Sequence, residues 1–218
     1  MTAQLKIDFV SDVVCPWCVI GLRGLEEALE RASDVVKAEI TVQPFELNPD
    51  MPAEGQNVVE HITQKYGPEA AKNTGNREAM RARAASLGFT MNFSDDNRLY
   101  NTFDAHRLLH WAGIAGRQVE LKRELFKANF TDRTNISDTE VLVAVATAAG
   151  LDTKEARDVL TSGRYTDEVR EAEELWVSRG IRSVPGIVVN DKWLISGGQP
   201  ADAFERALRN IAKELEAA

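Results

Sequence analysis

Near the amino terminus Leu5, Ile7 and Phe9 alternate with polar neighbours, and Val10, Val13 and Val14 follow. A period of two predicts a strand with one face in a core, here stopping at the cysteine pair Cys15 and Cys18. From Cys18 onward the period changes: Leu22, Leu25, Leu29 and Ala32 recur at helical spacing, and Glu26, Glu27, Glu30 and Arg31 take the other face. Residues 38–45, with Ile40, Val42 and Phe45 among polar partners, predict a second strand. The opening is therefore a β-α-β unit, whose strands run parallel because the crossover helix returns the chain to the same end of the sheet. Asn48, Pro49 and Pro52 end the pattern.

Between residues 53 and 180 the strand signals vanish and helical periodicity takes over, in Val58 to Tyr66, Arg77 to Leu87, Leu99 to Trp111 and Val119 to Phe126. Ser137 followed by Glu140 has the spacing of a capping box ahead of Val141 to Ala149, and Gly150, Gly163 and Gly180 have the placement of helix stops. Strand character returns at Gly186 to Val189 and Trp193 to Ile195, joined by Asn190-Asp191 as a hairpin, and a last helix runs from Ala201 to Leu215. The expected organisation is an α/β domain from residues 1–52 and 181–218, with residues 53–180 inserted as a helical subdomain.

Composition narrows the function classes. The chain has 218 residues, enough for one large domain, with 26 Lys and Arg against 34 Asp and Glu and a net charge of -8. That charge repels phosphate backbones and anionic lipid, and no basic patch counters it, so neither a nucleic acid nor a membrane is expected as a partner. No apolar run approaches the roughly 20 residues of a membrane span, and MTAQLKIDFVSD lacks the basic start and apolar stretch of a secretory signal. The expected compartment is the cytoplasm.

The chain has only two cysteines, too few for a disulfide framework, and they sit together as Cys15-Pro16-Trp17-Cys18 between a strand and a helix. At a helix amino terminus, unpaired N-H groups and the positive end of the dipole favour thiolate over thiol, which makes Cys15 the candidate nucleophile. Cys18, one turn on, is placed to resolve a mixed disulfide formed on Cys15. Pro16 suits the first turn, where its missing N-H costs nothing, and Trp17 adds apolar surface beside the sulfur. Two other readings compete. The pair could be half of a zinc site completed by His106 and His110, although compact zinc motifs place their second ligand pair within roughly 12 to 20 residues and here about 90 intervene. Alternatively both cysteines are ordinary core residues.

SDVVCPWC at residues 11–18 with Val19-Ile20-Gly21, PFELNPDMP at 44–52, NTFDAHRLLHWA at 101–112, SVPGIVV at 183–189 and ISGGQP at 195–200 together resemble the DsbA superfamily, specifically its cytoplasmic FrnE-like branch. The resemblance implies a thioredoxin-like fold with a large all-helical insertion. It implies thiol-disulfide exchange with protein or small-molecule thiols, Cys15 as nucleophile and Cys18 as resolving cysteine. Neither metal nor organic cofactor is implied, and glutathione is a candidate co-substrate. Pro185 matches the family's cis-proline, which sets the Val184 peptide opposite the sulfurs, where an extended substrate could pair by β-augmentation. His106 and Asn101 match a helix that lines the space above the active site in relatives, and with Pro16, Trp17, Val184 and Pro185 they form the expected substrate-binding set. His110, Trp111 and Trp176 read as structural, and Glu46 and Lys65 as weaker candidates for tuning proton transfer. Periplasmic relatives carry a histidine where this chain has Trp17, so the potential is open between about -270 and -120 mV. The rival class is a glutathione-dependent isomerase or transferase, resembling the 2-hydroxychromene-2-carboxylate isomerase and kappa glutathione transferase branch. Those enzymes use a serine where this chain has Cys15.

Overall fold

The computed structural model describes residues 2–52, 54–72 and 74–217. Strand β1 (Ala3–Ser11) leads through a short turn into helix α1 (Pro16–Arg31), and β2 (Val36–Pro44) returns alongside β1 in parallel, with Ile7 opposite Ile40. A two-residue strand β3 (Gln56–Asn57) precedes α2 (Val58–Tyr66), α3 (Pro68–Lys72) and α4 (Thr74–Ser86). Strand β4 (Arg98–Leu99) pairs back on β3, and α5 (Phe103–Ile114) and α6 (Gln118–Phe126) follow. A π-helical turn at Lys127–Thr131 extends α6 before α7 (Thr139–Ala148), α8 (Thr153–Ser162) and α9 (Thr166–Ser178). The chain closes with β5 (Gly186–Val189), β6 (Trp193–Ser196) and α10 (Ala201–Glu216).

The main sheet has the order β2-β1-β5-β6, with β5 antiparallel to β1 and β6 antiparallel to β5. This is an α/β thioredoxin-like fold carrying a helical insertion. As an inner strand, β1 is covered on both faces, which is why Ile7, Phe9 and Val10 are all fully buried and alternation fails at its end. Asn190 and Asp191 both take positive φ, at 50° and 54°, the backbone that a two-residue hairpin needs.

Beside a smaller apolar core around Val10, Trp176, Ile181 and Val188, two large ones share the molecule. One gathers β1, α1, β5 and α10 and includes Cys15 and Cys18; the other packs α5, α6, α7 and α8. The chain passes between them just before the cysteines: Phe9 and Cys15 belong to the first, Val13 and Val14 to the second.

Three local expectations change. The helix expected from Leu99 starts at Phe103, because Leu99 pairs with Gln56 and Asn101 turns the chain by accepting the Phe103 N-H at 2.9 Å. The Ser137-Glu140 capping box does not form: the carboxylate of Asp138 caps α7, taking the N-H groups of Glu140 and Val141 at 2.8 and 3.1 Å. The Ser137 hydroxyl donates instead to Asn135. The β3-β4 ribbon is the third addition, too short to leave a periodic signal. Among the described residues no helix is long and apolar enough to cross a membrane.

Candidate active site

Cys15 is the residue that caps α1, with extended backbone angles, and Pro16 occupies the first helical position. The Cys15 carbonyl accepts the Cys18 N-H at 3.0 Å, and the Cys15 N-H reaches the Asp12 carbonyl at 3.3 Å. Cys15 is 4% exposed and Cys18 fully buried, so only the first sulfur meets a partner at the surface. Trp17, at 42% exposed, is the apolar surface beside it.

The Val184-Pro185 peptide is cis, and the Cys15 thiol donates to the Val184 carbonyl at 3.7 Å. Small residues make this approach possible. A Cβ on Gly21 would come within 2.9 Å of the Pro185 ring, and one on Gly198 within 2.7 Å of the Trp17 carbonyl. The Gly197 N-H donates to the Pro185 carbonyl at 2.9 Å, and Arg83 on α4 donates to the Gly198 carbonyl at 3.2 Å. The Gly-Gly-Gln-Pro turn thus clamps α1, the Val184-Pro185 loop and the insertion together.

The two thiols differ in acidity. A hydrogen bond from the Cys18 thiol leads the effects on Cys15; helped by the N-H groups of Cys18 and Trp17, it outweighs burial and holds the Cys15 pKa below the ordinary thiol value. Burial, and then the neighbouring Cys15 sulfur, push Cys18 well above that value. A negative charge on the pair therefore rests on Cys15.

Beneath the pair lies a set of buried ionisable groups. Burial works to raise the Asp12 pKa, but His106, the Leu47 N-H and Lys122 together hold it below the usual carboxylate range. The Leu47 N-H donates to Asp12 Oδ2 at 2.7 Å, and His106 Nε2 stands 3.5 Å from Oδ1. Lys122, on α6, is fully buried, and its Nζ has no hydrogen-bond partner among the described residues. It lies 4.9 Å from the Phe126 ring centroid. Burial lowers its pKa to about 8 against the pull of Cys18, Asp12 and Cys15. Farther out, Glu46 pairs with Arg170, which also holds Glu173 at 2.8 Å and stacks on Phe103. Burial raises the pKa of both Glu46 and Glu173.

The structure brings together Cys15, Cys18, Pro16, Trp17, Val184 and Pro185, with His106 buried beneath them against Asp12. Asn101 is not among them. Its amide donates to the Pro49 and Met51 carbonyls, both at 3.3 Å, and fixes the loop after β2. His110 stacks on Tyr165 at 4.9 Å. Among the described residues no three His, Cys, Asp or Glu side chains converge as metal ligands, so the cysteines, His106 and His110 do not assemble as a zinc set.

The family described as DSBA-like thioredoxin domain matches residues 6–209, spanning both halves of this site. The chain belongs to that family. A structure of a probable DsbA oxidoreductase from Streptomyces coelicolor is 35% identical, with a TM-score of 0.87 over 94% of this chain and 89% of that one. The YwbO protein of Bacillus subtilis (strain 168) is 28% identical over 215 residues, 98% of this chain and all of that one. The cytosolic disulfide reductase DsbM of Pseudomonas aeruginosa, solved with GSH, shares the fold at 15% identity, with a TM-score of 0.60 over 95% of this chain and 99% of that one.

Within this DSBA-like site, sequence reasoning passed over Asp12 and Lys122. A signal existed for Lys122: it sits on the apolar face of α6 with Leu121, Leu125 and Phe126, where a lysine is out of place. Asp12 carried a weaker one, as a charge inside the apolar run that ends at Cys15.

Proposed function

We propose that the protein is a thiol-disulfide oxidoreductase working through Cys15 and Cys18 in the cytoplasm, on protein or small-molecule thiols, with glutathione as a co-substrate. The observation that carries this is the split pair: the less deeply buried, acidified sulfur of Cys15 capping α1 opposite the Val184 carbonyl, above a fully buried thiol one turn away. Acting as a reductant, the Cys15 thiolate attacks a substrate disulfide, forming a mixed disulfide and releasing one substrate sulfur as thiolate, which takes a proton. Cys18 then loses its proton and attacks Cys15 Sγ. The Cys15-Cys18 disulfide forms and the second substrate sulfur leaves, so two electrons pass to the substrate. Oxidation of a substrate dithiol is the same sequence in reverse.

The second attack needs a base, since burial holds the Cys18 proton tightly. Lys122 is the candidate, a buried amine whose charge couples to Cys18 with no hydrogen bond joining the two in this structure. With a pKa of about 8, a fraction of its amine is neutral near pH 7, and it attracts the Cys18 thiolate as soon as it takes the proton. Asp12 pairs with His106 and counterbalances that positive charge. The cytosolic DsbM shares this fold, which supports the compartment and the glutathione reading.

Equilibration with a glutathione redox series, read by Trp17 fluorescence and thiol alkylation, tests the proposal. A reversible two-electron transition is expected, and its midpoint sets the direction. A stable adduct of glutathione on Cys15 alone, with full activity in Cys18→Ser, would move the protein to the isomerase or transferase class, which does not need Cys18. In an oxidoreductase, Cys18→Ser instead accumulates mixed disulfides.

A further inference from the structure

A cavity of about 220 Å³ opens beside the active-site loop, and Val14 and Pro16, the neighbours of Cys15 in the chain, form part of its wall. Its floor is apolar, made by Val58, Ile62, Met80, Phe93 and Phe130. Its rim carries Lys65, Arg77 and Arg98, and among the described residues no Asp or Glu lines it, in a chain whose net charge is -8.

A buried, unpaired donor marks where an anionic ligand group would bind. Arg77 Nη1 holds Asp95 at 2.5 Å, but Nη2 has no partner; Asn97 Oδ1 also has none. Both residues line this cavity. The unmade Arg77 donor is one that a ligand carboxylate can satisfy. Lys65 and Arg98 are held by neutral acceptors among the described residues, Lys65 by the Leu47 carbonyl and Asn48 Oδ1, Arg98 by the Glu54 and Gly55 carbonyls. Their charge is therefore left to attract an anion.

We propose that this cavity binds a small organic thiol, or its disulfide, with a compact apolar body and one carboxylate, presenting its sulfur to Cys15. The inference deepens the oxidoreductase reading and rests on it. Size selects the body: an apolar cavity of roughly 150 Å³ takes up benzene, so this one suits a single ring with a small substituent. Charge selects the rest. A carboxylate meets Lys65, Arg98 and the free Nη2 of Arg77, whose Nη1 already holds Asp95, whereas the ammonium of glutathione finds no acid in the wall, so glutathione is not the occupant. In the reaction, Cys15 Sγ bonds to one ligand sulfur and the ligand disulfide breaks. The departing thiolate takes a proton, and Cys18 releases the second thiol by closing the protein disulfide.

The test separates binding from redox chemistry by using the full chain with Cys15→Ser and Cys18→Ser together. Calorimetry with 4-(methylthio)benzoate should show one site, with the methyl ester and glutathione each at least tenfold weaker. Lys65→Gln, at an exposed position that leaves the fold intact, and Arg98→Gln should each weaken the acid severalfold and leave the ester unchanged. Equal affinity for acid and ester overturns the proposal in favour of a pocket for an apolar peptide side chain. Absence of acid binding, or binding indifferent to both charge variants, also overturns it. Since the serine chain performs no exchange, these outcomes stand apart from the glutathione titration of the intact protein: a normal two-electron transition with no acid binding sinks this inference alone.

Discussion

The two sides of the cysteine pair are built from different materials. On the sheet side, the Val184 carbonyl faces the Cys15 sulfur while the Pro185 ring and Gly198 pack on Gly21 and Trp17 of α1, and geometry there is set by backbone and by the absence of side chains. On the insertion side, Asp12 stands against His106 from α5 and feels the charge of Lys122 from α6, all buried. The sheet side positions the sulfurs; the helical side adds buried charges, Asp12 working to raise the Cys15 pKa and Lys122 to lower that of Cys18. A fold that already holds the dithiol can thus be retuned by changing helices that never touch the substrate.

The largest break in this comparison is at the nucleophile. Cys15→Ser should lower exchange by about three orders of magnitude or more, because serine at this position is hardly ionised. Stopped-flow reaction of the reduced protein with glutathione disulfide measures it.

Lys122→Met comes next and separates stability from chemistry. A lysine lowered from 10.5 to about 8 by burial costs folding about 3 kcal/mol below pH 8, where both folded and unfolded chains keep the proton. The variant should therefore unfold at higher denaturant concentration, while its release of mixed disulfides slows and needs higher pH. The sign of the pH dependence is fixed: from pH 8 to about 10.5 the unfolded chain holds the extra proton, so the wild type gains on the variant and the gap closes. A Lys122→Met chain that is less stable, or that resolves mixed disulfides normally, removes Lys122 from the proton inventory.

On the sheet side, Gly198→Ala places a methyl within 2.7 Å of the Trp17 carbonyl, a backbone atom with little room to yield. A loss of about 1 to 3 kcal/mol is expected in urea unfolding, with slower exchange because the α1 terminus must shift. Asp12→Asn should do the reverse on the helical side. Since the Asp12 charge works to raise the Cys15 pKa, its removal lowers the midpoint of thiolate absorbance at Cys15. The smallest effect belongs to the distant cap: Asp138→Ala should cost about 1 kcal/mol, with exchange unchanged.

The sheet side was legible in the sequence and the helical side mostly was not. Cys15, Cys18 and Pro16 announce themselves because four adjacent residues carry their chemistry, and the hairpin does because Asn190-Asp191 follows a short apolar run. Lys122 becomes a functional candidate only when α6 is packed, since a helix with Lys122, Arg123 and Lys127 reads as a solvated surface until its apolar stripe is docked. Asn101 shows the opposite case. Its match to a helix that lines the space above the active site in relatives implied a ligand contact, while in the structure the amide is taken up by carbonyls some 50 residues back. Ser137 lost the capping role to Asp138 by one residue, a shift below what spacing can resolve.

The Cys15 sulfur and its Val184 partner lie 169 residues apart in the chain. During synthesis from the amino terminus, the dithiol leaves the ribosome with β1 and α1, long before the loop that shelters it exists. At about 5 to 20 residues per second the pair waits on the order of ten seconds or more, unable to assemble its site. The newborn protein is thus an ordinary pair of thiols, subject to whatever oxidant the compartment holds. It becomes an enzyme only when the last hairpin is made.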